Sequence, residues 1–285
     1  MEAPGISIPA SPTPATPKYR WPRFVYSVRL HTHFYGMLLK RAVGLWRPIP
    51  VDAARLAQGV TFVLPGVEGE SPYCHGMCNG LKDADIPGAV IIYDWAIAFP
   101  IGFFPNLMNL RRNRLKAAEL TDMILRYQAR HPGRPVHLVA NSGGAFIALM
   151  AVAALPEDHP IDGIALLGGA VSCDYDLSEA LQRTKKGIIN SYSDRDWLVL
   201  GWGTSLFGTS DRKSTHSCGF KGFREPASAG EDDPRTKLYR KLQQIPWRPD
   251  MCEDCEHWGT HLTSSSRKFV KKYIAPWIAE APENS

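Results

Sequence analysis

The stretch Val136–Ala145, which reads VHLVANSGGA, decides the fold of this chain. It opens with a short apolar run that predicts a buried strand, and an Ala-rich run that predicts a helix to about residue 155 follows at once. A sharp turn must therefore lie at Ser142. Strand and helix pass close together at such a turn, so small residues must flank the serine, and Ala140 and Gly144 meet this need. The stretch predicts a strained strand-to-helix turn that presents Ser142 as a nucleophile; the alternative is an ordinary capped helix.

Outward from this turn, strand-like and helix-like runs alternate along the chain. We expect strands at residues 60–64, 89–94, 136–139, 161–167 and 187–192, with a short strand near Cys218. We expect helices at residues 109–130, 143–155, 234–244 and 265–278. Continuously apolar strands that alternate with helices predict an α/β fold, a mostly parallel central sheet with helices on both faces. Chemistry is then expected beyond the carboxyl ends of the strands.

A nucleophilic serine needs an acid and a base, and after such a turn they follow in the order acid, then histidine. Asp196 comes directly after the fifth predicted strand, in an Asp-x-x-Val arrangement, and is the preferred acid. Asp194 in the same loop and Asp174 after the fourth strand are the alternatives.

The histidine should lie in a loop just before the last helix. His261, in Trp258–Thr263, fits this position. His257 is the rival, but it adjoins the pair Cys252 and Cys255, where a surface or metal-ligand role is as plausible. The sequence therefore predicts Ser142, Asp196 and His261 as the catalytic set.

Taken in order, four segments resemble the α/β-hydrolase superfamily, and in particular its bacterial serine-hydrolase members. The resemblance covers about residues 57–280 and rests on Phe62–Gly66, Leu138–Ala145, Ser193–Val199 and Trp258–Leu262. It implies an α/β-hydrolase fold, a Ser-Asp-His triad, hydrolysis through an acyl-enzyme, and no cofactor. No metal ligand is assigned among the predicted site residues.

The resemblance also implies an oxyanion hole made of two backbone N–H groups. One belongs to Gly143, and Val67, in the loop after the first strand, is expected to supply the other. Two positions depart from the common pattern, because Ala140 stands where a glycine is usual and Pro65 where many members have histidine. Glu68 is expected to point away, since an ionised carboxylate would oppose an oxyanion.

The predicted function is hydrolysis of a carboxylic ester, either a small molecule or a lipid-like ester, by a lipase-like serine esterase. Aromatic residues that would line an acyl pocket, or simply form core, are Trp95, Phe99, Phe103, Phe104, Trp197, Trp202 and Phe207. The alternative is a catalytically silent α/β-hydrolase-like protein that binds a ligand or a partner, which the departures at Ala140 and Pro65 favour.

The chain has 285 residues, of which 44% are hydrophobic, and this fits one sizeable domain. We expect a disordered Pro-rich tail at 1–18, an N-terminal packing or interfacial segment at 19–56, the hydrolase domain at 57–280 and a C-terminal tail at 281–285. The N-terminus lacks the apolar region of a secretory signal, and no window is apolar enough to span a membrane. These features predict a cytoplasmic protein, with peripheral membrane contact through the apolar and basic residues 21–45.

The formal net charge of +5 is mildly basic, and no basic stripe interleaved with aromatics accompanies it. A nucleic-acid partner is therefore not expected. Two close cysteine pairs, Cys74 with Cys78 and Cys252 with Cys255, are compatible with packed free thiols, a zinc site or disulfides. Free thiols are the preferred interpretation.

Overall fold

The central element is one parallel β-sheet. The structure, a computed structural model, describes residues 20–45, 50–97, 101–196, 209–211, 215–224 and 234–281. Within these ranges the strands are β1 (Val60–Leu64), β2 (Ala89–Ile92), β3 (Val136–Asn141), β4 (Gly163–Leu167), β5 (Ile188–Tyr192) and β6 (Leu242–Pro246). They pair in parallel in the order β2-β1-β3-β4-β5-β6. The mostly parallel sheet predicted from the sequence is confirmed.

Helices cover both faces of the sheet. In chain order they are α1 (Arg20–Ala42), α2 (Ala53–Leu56), α3 (Pro72–Asp83), α4 (Phe103–Met108), α5 (Leu110–Arg130), α6 (Gly144–Ala153), α7 (Ser178–Gln182), α8 (Cys218–Lys221), α9 (Pro234–Tyr239), α10 (Met251–Cys255), α11 (Arg267–Phe269) and α12 (Ala275–Ala279). A π-helical turn, Val270–Ile274, joins α11 to α12.

Alternate residues of each strand enter two separate cores, because successive side chains of a strand point to opposite faces. Phe62 and Leu138 lie in one core, beneath α5 and α6. Val63 and Val139 lie in the other, against α3 and the C-terminal helices. Burial on both faces explains why these strands read as continuous apolar runs. The architecture is the α/β fold that the sequence predicts, a parallel sheet with helices on both faces.

Two local predictions were wrong. The helix expected at 234–244 ends at Tyr239, and β6 follows, pairing Leu242–Pro246 with β5. Pairing with a distant strand overrides local helix preference here, and Gln244 reinforces it by hydrogen bonds with the backbone N–H and C=O of Phe223. Near Cys218 the described residues form no strand; they form an isolated antiparallel bridge between Ser172 and Ser217, and a helical turn follows it.

The N-terminal helix α1 lies against α3. Met37 is buried, and the ring of Phe34 stacks on that of Tyr73 with centroids 6.0 Å apart. Among the described residues, no helix has both the length and the apolar character needed to cross a bilayer. The tail expected at residues 1–18 lies outside the described residues, and the predicted domain boundaries stay predictions.

Candidate active site

The turn between β3 and α6 holds Ser142 in a strained backbone conformation. Its φ is 52°, in the left-handed region that non-glycine residues rarely adopt. Close packing of this turn accounts for its small residues: a Cβ on Gly144 would lie 2.4 Å from the Pro65 carbonyl oxygen, and one on Gly143 would lie 2.8 Å from Val67 Cγ1. Glycine is therefore required at 144, where the obstacle is backbone.

The neighbouring strand β4 fixes the position of the serine. The Ser142 N–H donates to the Leu167 carbonyl over 3.1 Å, and the Asn141 side-chain amide donates to the same oxygen over 2.9 Å. The Ser142 carbonyl in turn accepts from the Ala170 N–H at 3.0 Å. Because β3 and β4 are the two central strands of the sheet, these bonds connect the strained turn to the middle of the sheet.

Three polar side chains from three separate segments meet at the carboxyl edge of the sheet. The Ser142 hydroxyl lies 2.9 Å from Nε2 of His261, and Nδ1 of His261 lies 2.8 Å from Oδ2 of Asp196. All three residues are buried. Asp196 follows β5, and His261 opens a single 3₁₀ turn, His261–Thr263, ahead of α11. The residues that sequence reasoning selected thus lie in one hydrogen-bonded row.

The loops that carry Asp196 and His261 are bonded to each other. Ser193 donates its hydroxyl hydrogen to the Gly259 carbonyl over 2.8 Å, and its own carbonyl accepts the Asp196 N–H at 3.1 Å. On the other side, the Ser264 hydroxyl donates to the His261 carbonyl over 2.8 Å. These contacts fix the relative placement of the carboxylate and the imidazole.

The other acids considered from the sequence lie elsewhere. Asp194 is exposed to solvent, and Asp174 pairs with Arg224 at 3.1 Å. His257 is buried against the ring of Phe269, where its Nδ1 lies 3.1 Å from the Thr263 hydroxyl. Burial lowers the pKa of His257 to about 3, so this imidazole is neutral at ordinary pH.

Two opposing effects act on the imidazole of His261. Burial lowers its pKa, since the cation is poorly solvated in the site. The adjacent Asp196 carboxylate raises the pKa by charge and by hydrogen bonding, Glu68 adds to this, and the net pKa is raised above its ordinary value. The site thus favours a proton on His261 more than water does.

Two backbone N–H groups are unused where the loop after β1 approaches the turn, one in the loop and one in the turn. Within the described residues, the N–H groups of Val67 and Gly143 donate to no protein acceptor. The loop is held by distant side chains, because the Trp95 indole donates to the Pro65 carbonyl over 2.8 Å and the Asn106 amide donates to the Val67 carbonyl over 2.8 Å. This arrangement leaves both N–H groups free for a ligand oxygen.

The expectation that Glu68 points away is wrong. A Cβ built on Gly66 would lie 2.3 Å from Glu68 Oε2 and 3.2 Å from Ser142 Cβ, so the carboxyl group and the serine side chain approach the same point. The other carboxyl oxygen accepts a hydrogen bond from the Ser71 hydroxyl at 3.1 Å. The carboxyl group curls back over its own loop because Gly66 has no side chain to block it.

Other candidates from the sequence take different places. Trp95 is buried beside Gly143, whereas Phe104 is 56% exposed. The remaining candidate pocket aromatics fall outside the described residues or have undescribed side chains: Phe99, Phe103, Trp197, Trp202 and Phe207.

None of the six cysteines forms a disulfide, and all six are buried. Cys74 and Cys78 lie one turn apart in α3, and Cys252 and Cys255 lie in α10. Burial raises the pKa of Cys74 well above its ordinary value, so its thiol stays protonated. Among the residues whose placement is described, no group of three or more His, Cys, Asp or Glu side chains is arranged to hold a metal ion.

Comparison with known proteins finds similarity in structure but not in sequence. No protein-family profile matches the chain, and no curated protein matches it. A dienelactone hydrolase from Anabaena variabilis is similar at 15% identity and a TM-score of 0.42, over 77% of this chain and 85% of that one. Est1E from Butyrivibrio proteoclasticus is similar at 12% identity and a TM-score of 0.43, over 78% and 89%. A cutinase-like protein from a Cryptococcus species is similar at 16% identity and a TM-score of 0.39, over 79% and 96%.

None of these similarities is strong enough to assign an activity, so the site must be interpreted from its own geometry. That geometry consists of Ser142, His261 and Asp196 in a row beside two free N–H groups, at the carboxyl edge of a parallel sheet. The chain has an α/β fold with these polar residues gathered at the carboxyl edge of its sheet.

Proposed function

We propose that this protein is a serine hydrolase that cleaves carboxylic esters through an acyl-enzyme. The observation that carries the proposal is the row of hydrogen bonds from Ser142 Oγ to His261 Nε2 and from His261 Nδ1 to Asp196 Oδ2, at 2.9 and 2.8 Å. Each spacing lies within the range that proton transfer and tautomer control require.

In the proposed reaction, Ser142 Oγ attacks the ester carbonyl carbon while His261 Nε2 takes the hydroxyl proton. The carbonyl oxygen becomes an oxyanion, which the N–H groups of Val67 and Gly143 stabilise, and such donors are typically worth roughly 3–4 kcal/mol each. The C–O bond then breaks, His261 returns its proton to the departing alcohol, and an acyl-serine remains. Water, deprotonated by His261, releases the carboxylic acid and restores the serine.

Asp196 has a separate role in this scheme. Its carboxylate accepts the Nδ1–H of His261, which leaves Nε2 unprotonated and directed at Ser142. It also stabilises the imidazolium that forms during attack. The raised pKa of His261 supports this role, because Asp196 and Glu68 together outweigh the effect of burial there.

Ester hydrolysis with matched variants tests the proposal. Wild type and the variants Ser142→Ala, His261→Ala and Asp196→Asn are assayed on para-nitrophenyl esters of increasing acyl length. We expect turnover by wild type and a loss of at least about 10³-fold in each variant. Folding is checked by thermal melting. Turnover that survives in Ser142→Ala contradicts the assignment, and no turnover by wild type on any ester favours the catalytically silent binder.

We also propose that α1 brings the enzyme to an anionic membrane surface, where lipid-like esters are found. The helix contains no Asp or Glu, and it exposes Val28, Tyr35 and Leu39 beside the cations Arg29 and Lys40. Apolar and basic residues together suit the boundary of an anionic bilayer. Sedimentation with phosphatidylserine vesicles tests this: binding should exceed that to phosphatidylcholine vesicles and fall in Leu39→Glu, and equal sedimentation with both would refute it. The cytoplasmic location stays a prediction.

A further inference from the structure

The carboxyl group of Glu68 is an acidic group at the site that the mechanism above does not use. Its Oε2 and Ser142 Cβ approach the same point over Gly66, and its Oε1 is held by the Ser71 hydroxyl. The residue directly follows Val67, whose N–H is a proposed oxyanion donor. An ester whose carbonyl carbon is at Ser142 must therefore lie beside this carboxyl group.

The charge of Glu68 has little compensation. Among the described residues, no Lys or Arg forms an ion pair with it. The titratable groups that face it are His261, from the loop before α11, and Tyr73 and Cys74, both from α3. Tyr73 and Cys74 are uncharged at neutral pH, because the charge of Glu68 and burial both raise their pKa values.

Burial raises the pKa of Glu68 above its ordinary value, while four groups oppose this rise and favour the ionised form. These are the N–H of Glu68 itself, His261, the Ser71 hydroxyl and the N–H of Gly66. The nearby Glu70 provides a contrast, because Glu70 pairs with His75 at 2.9 Å. Of the two acidic side chains in this loop, Glu68 is the one whose charge acts on His261.

We propose that Glu68 makes the site selective for the charge of its substrate, favouring neutral and cationic esters over esters that carry a carboxylate near the scissile carbonyl. This inference rests on the proposed function. Two negative charges about 7 Å apart, in surroundings of intermediate polarity, repel strongly enough to lower the rate constant by about tenfold or more. A cationic group at the same place would be attracted, and the rate constant should rise by a similar factor.

The same carboxylate acts on the general base. An ionised Glu68 stabilises the imidazolium of His261 and so raises its pKa. Hydrolysis requires neutral His261, and kcat/KM is therefore lost as pH falls through that pKa. Replacing Glu68 by glutamine removes one contribution that raises the pKa, so the acid limb of the pH profile should move to lower pH. A merely structural role of Glu68 predicts no such movement.

The experiment uses three esters of similar size with different charge. They are para-nitrophenyl butanoate, the para-nitrophenyl hemisuccinate, and the para-nitrophenyl ester of trimethylammonio-butanoic acid. The values of kcat/KM are measured for wild type, Glu68→Gln, Glu68→Asp and the matched control Glu70→Gln. Thermal melting checks folding, and reaction with a fluorophosphonate reports the nucleophile independently of substrate charge.

We expect Glu68→Gln to raise the hemisuccinate-to-butanoate ratio of kcat/KM about tenfold and to lower the ratio for the cationic ester. Glu68→Asp keeps the charge and should keep wild-type ratios, as should Glu70→Gln. If Glu68→Gln does not fold, Glu68→Ala takes its place with the same expected ratios.

The inference would be overturned if a folded Glu68→Gln or Glu68→Ala variant still hydrolyses the butanoate ester and shows unchanged ratios. In that case, a Ser142 that still reacts with the fluorophosphonate would leave the proposed function intact. A wild type that neither turns over any ester nor reacts with the fluorophosphonate would instead overturn both.

Discussion

Replacing Gly144 by alanine perturbs the closest approach in the proposed nucleophile turn. The added Cβ would lie 2.4 Å from the Pro65 carbonyl oxygen and 3.1 Å from Leu64 Cβ. Ordinary contact begins near 3.4 Å, so backbone must separate by about 1 Å. Neither neighbour can yield easily, because Leu64 ends the buried strand β1 and the Pro65 carbonyl is bonded to the Trp95 indole.

Two effects are expected from this displacement, a loss of stability and a loss of activity. Overpacking of a rigid site typically costs about 1–3 kcal/mol, so the melting temperature should fall by roughly 2–10 °C. The displaced Pro65 directly precedes Gly66 and Val67, and a shift of about 1 Å in a proposed oxyanion donor is expected to lower kcat/KM about 100-fold. The loss of activity should therefore exceed what partial unfolding explains.

Thermal melting and ester hydrolysis measured on the same preparation check this prediction. Gly36→Ala is the matched control, since a Cβ there meets nothing within 4 Å and α1 should tolerate or welcome alanine. A Gly144→Ala protein that melts within about a degree of wild type and keeps full activity would refute the close approach of Pro65 to the turn.

Three further outcomes follow from the site and its surroundings. Because Asp196 contributes to the raised pKa of His261, the midpoint of the acid limb in the pH profile of kcat/KM should lie above the ordinary histidine pKa of about 6.5. In steady-state assays, Asp196→Asn should move this midpoint to lower pH and lower kcat about 10⁴-fold. The pKa of His257 is lowered to about 3, so its contribution to stability is complete above about pH 6.5 and is lost as pH falls below that value. The free energy of unfolding, measured with urea, should therefore fall by up to about 1.4 kcal/mol for each pH unit below 6.5, and this dependence should be smaller in His257→Gln. Trp95→Phe removes the indole donor to the Pro65 carbonyl and should cost about 1–3 kcal/mol in the same unfolding assay, and an unchanged stability would contradict that bond.

Much of the fold could be predicted because its signals are local. An apolar strand, one sharp turn and an Ala-rich helix identified β3, Ser142 and α6 from hydrophobic pattern alone. Asp196 and His261 could be selected because they follow Ser142 in the expected chain order. The strands of a parallel sheet end at the same edge, so loops that are distant in the chain come close together there. Both residues lie in the hydrogen-bonded row with Ser142.

The rest depended on contacts between distant segments. Nothing local in residues 242–246 indicates pairing with β5, so the first three residues of this strand were predicted as part of a helix. The direction of Glu68 is set by Gly66, by Ser71 and by the side chains that anchor the loop, including Trp95. Asp194 and Asp196 differ by two positions in one loop, and the contacts of Ser193 with Gly259 and with the Asp196 N–H, which join distant segments and shape this loop, are not visible in the sequence.

The identity of the nucleophile is the central claim, and covalent labelling tests it most directly. Purified protein is treated with a fluorophosphonate, and the modified residue is located by mass spectrometry of its peptides. We expect one phosphonyl group on Ser142, absent in Ser142→Ala and formed far more slowly in His261→Ala, where the general base is gone. Labelling that persists in Ser142→Ala, or a wild type that does not react, would contradict this claim.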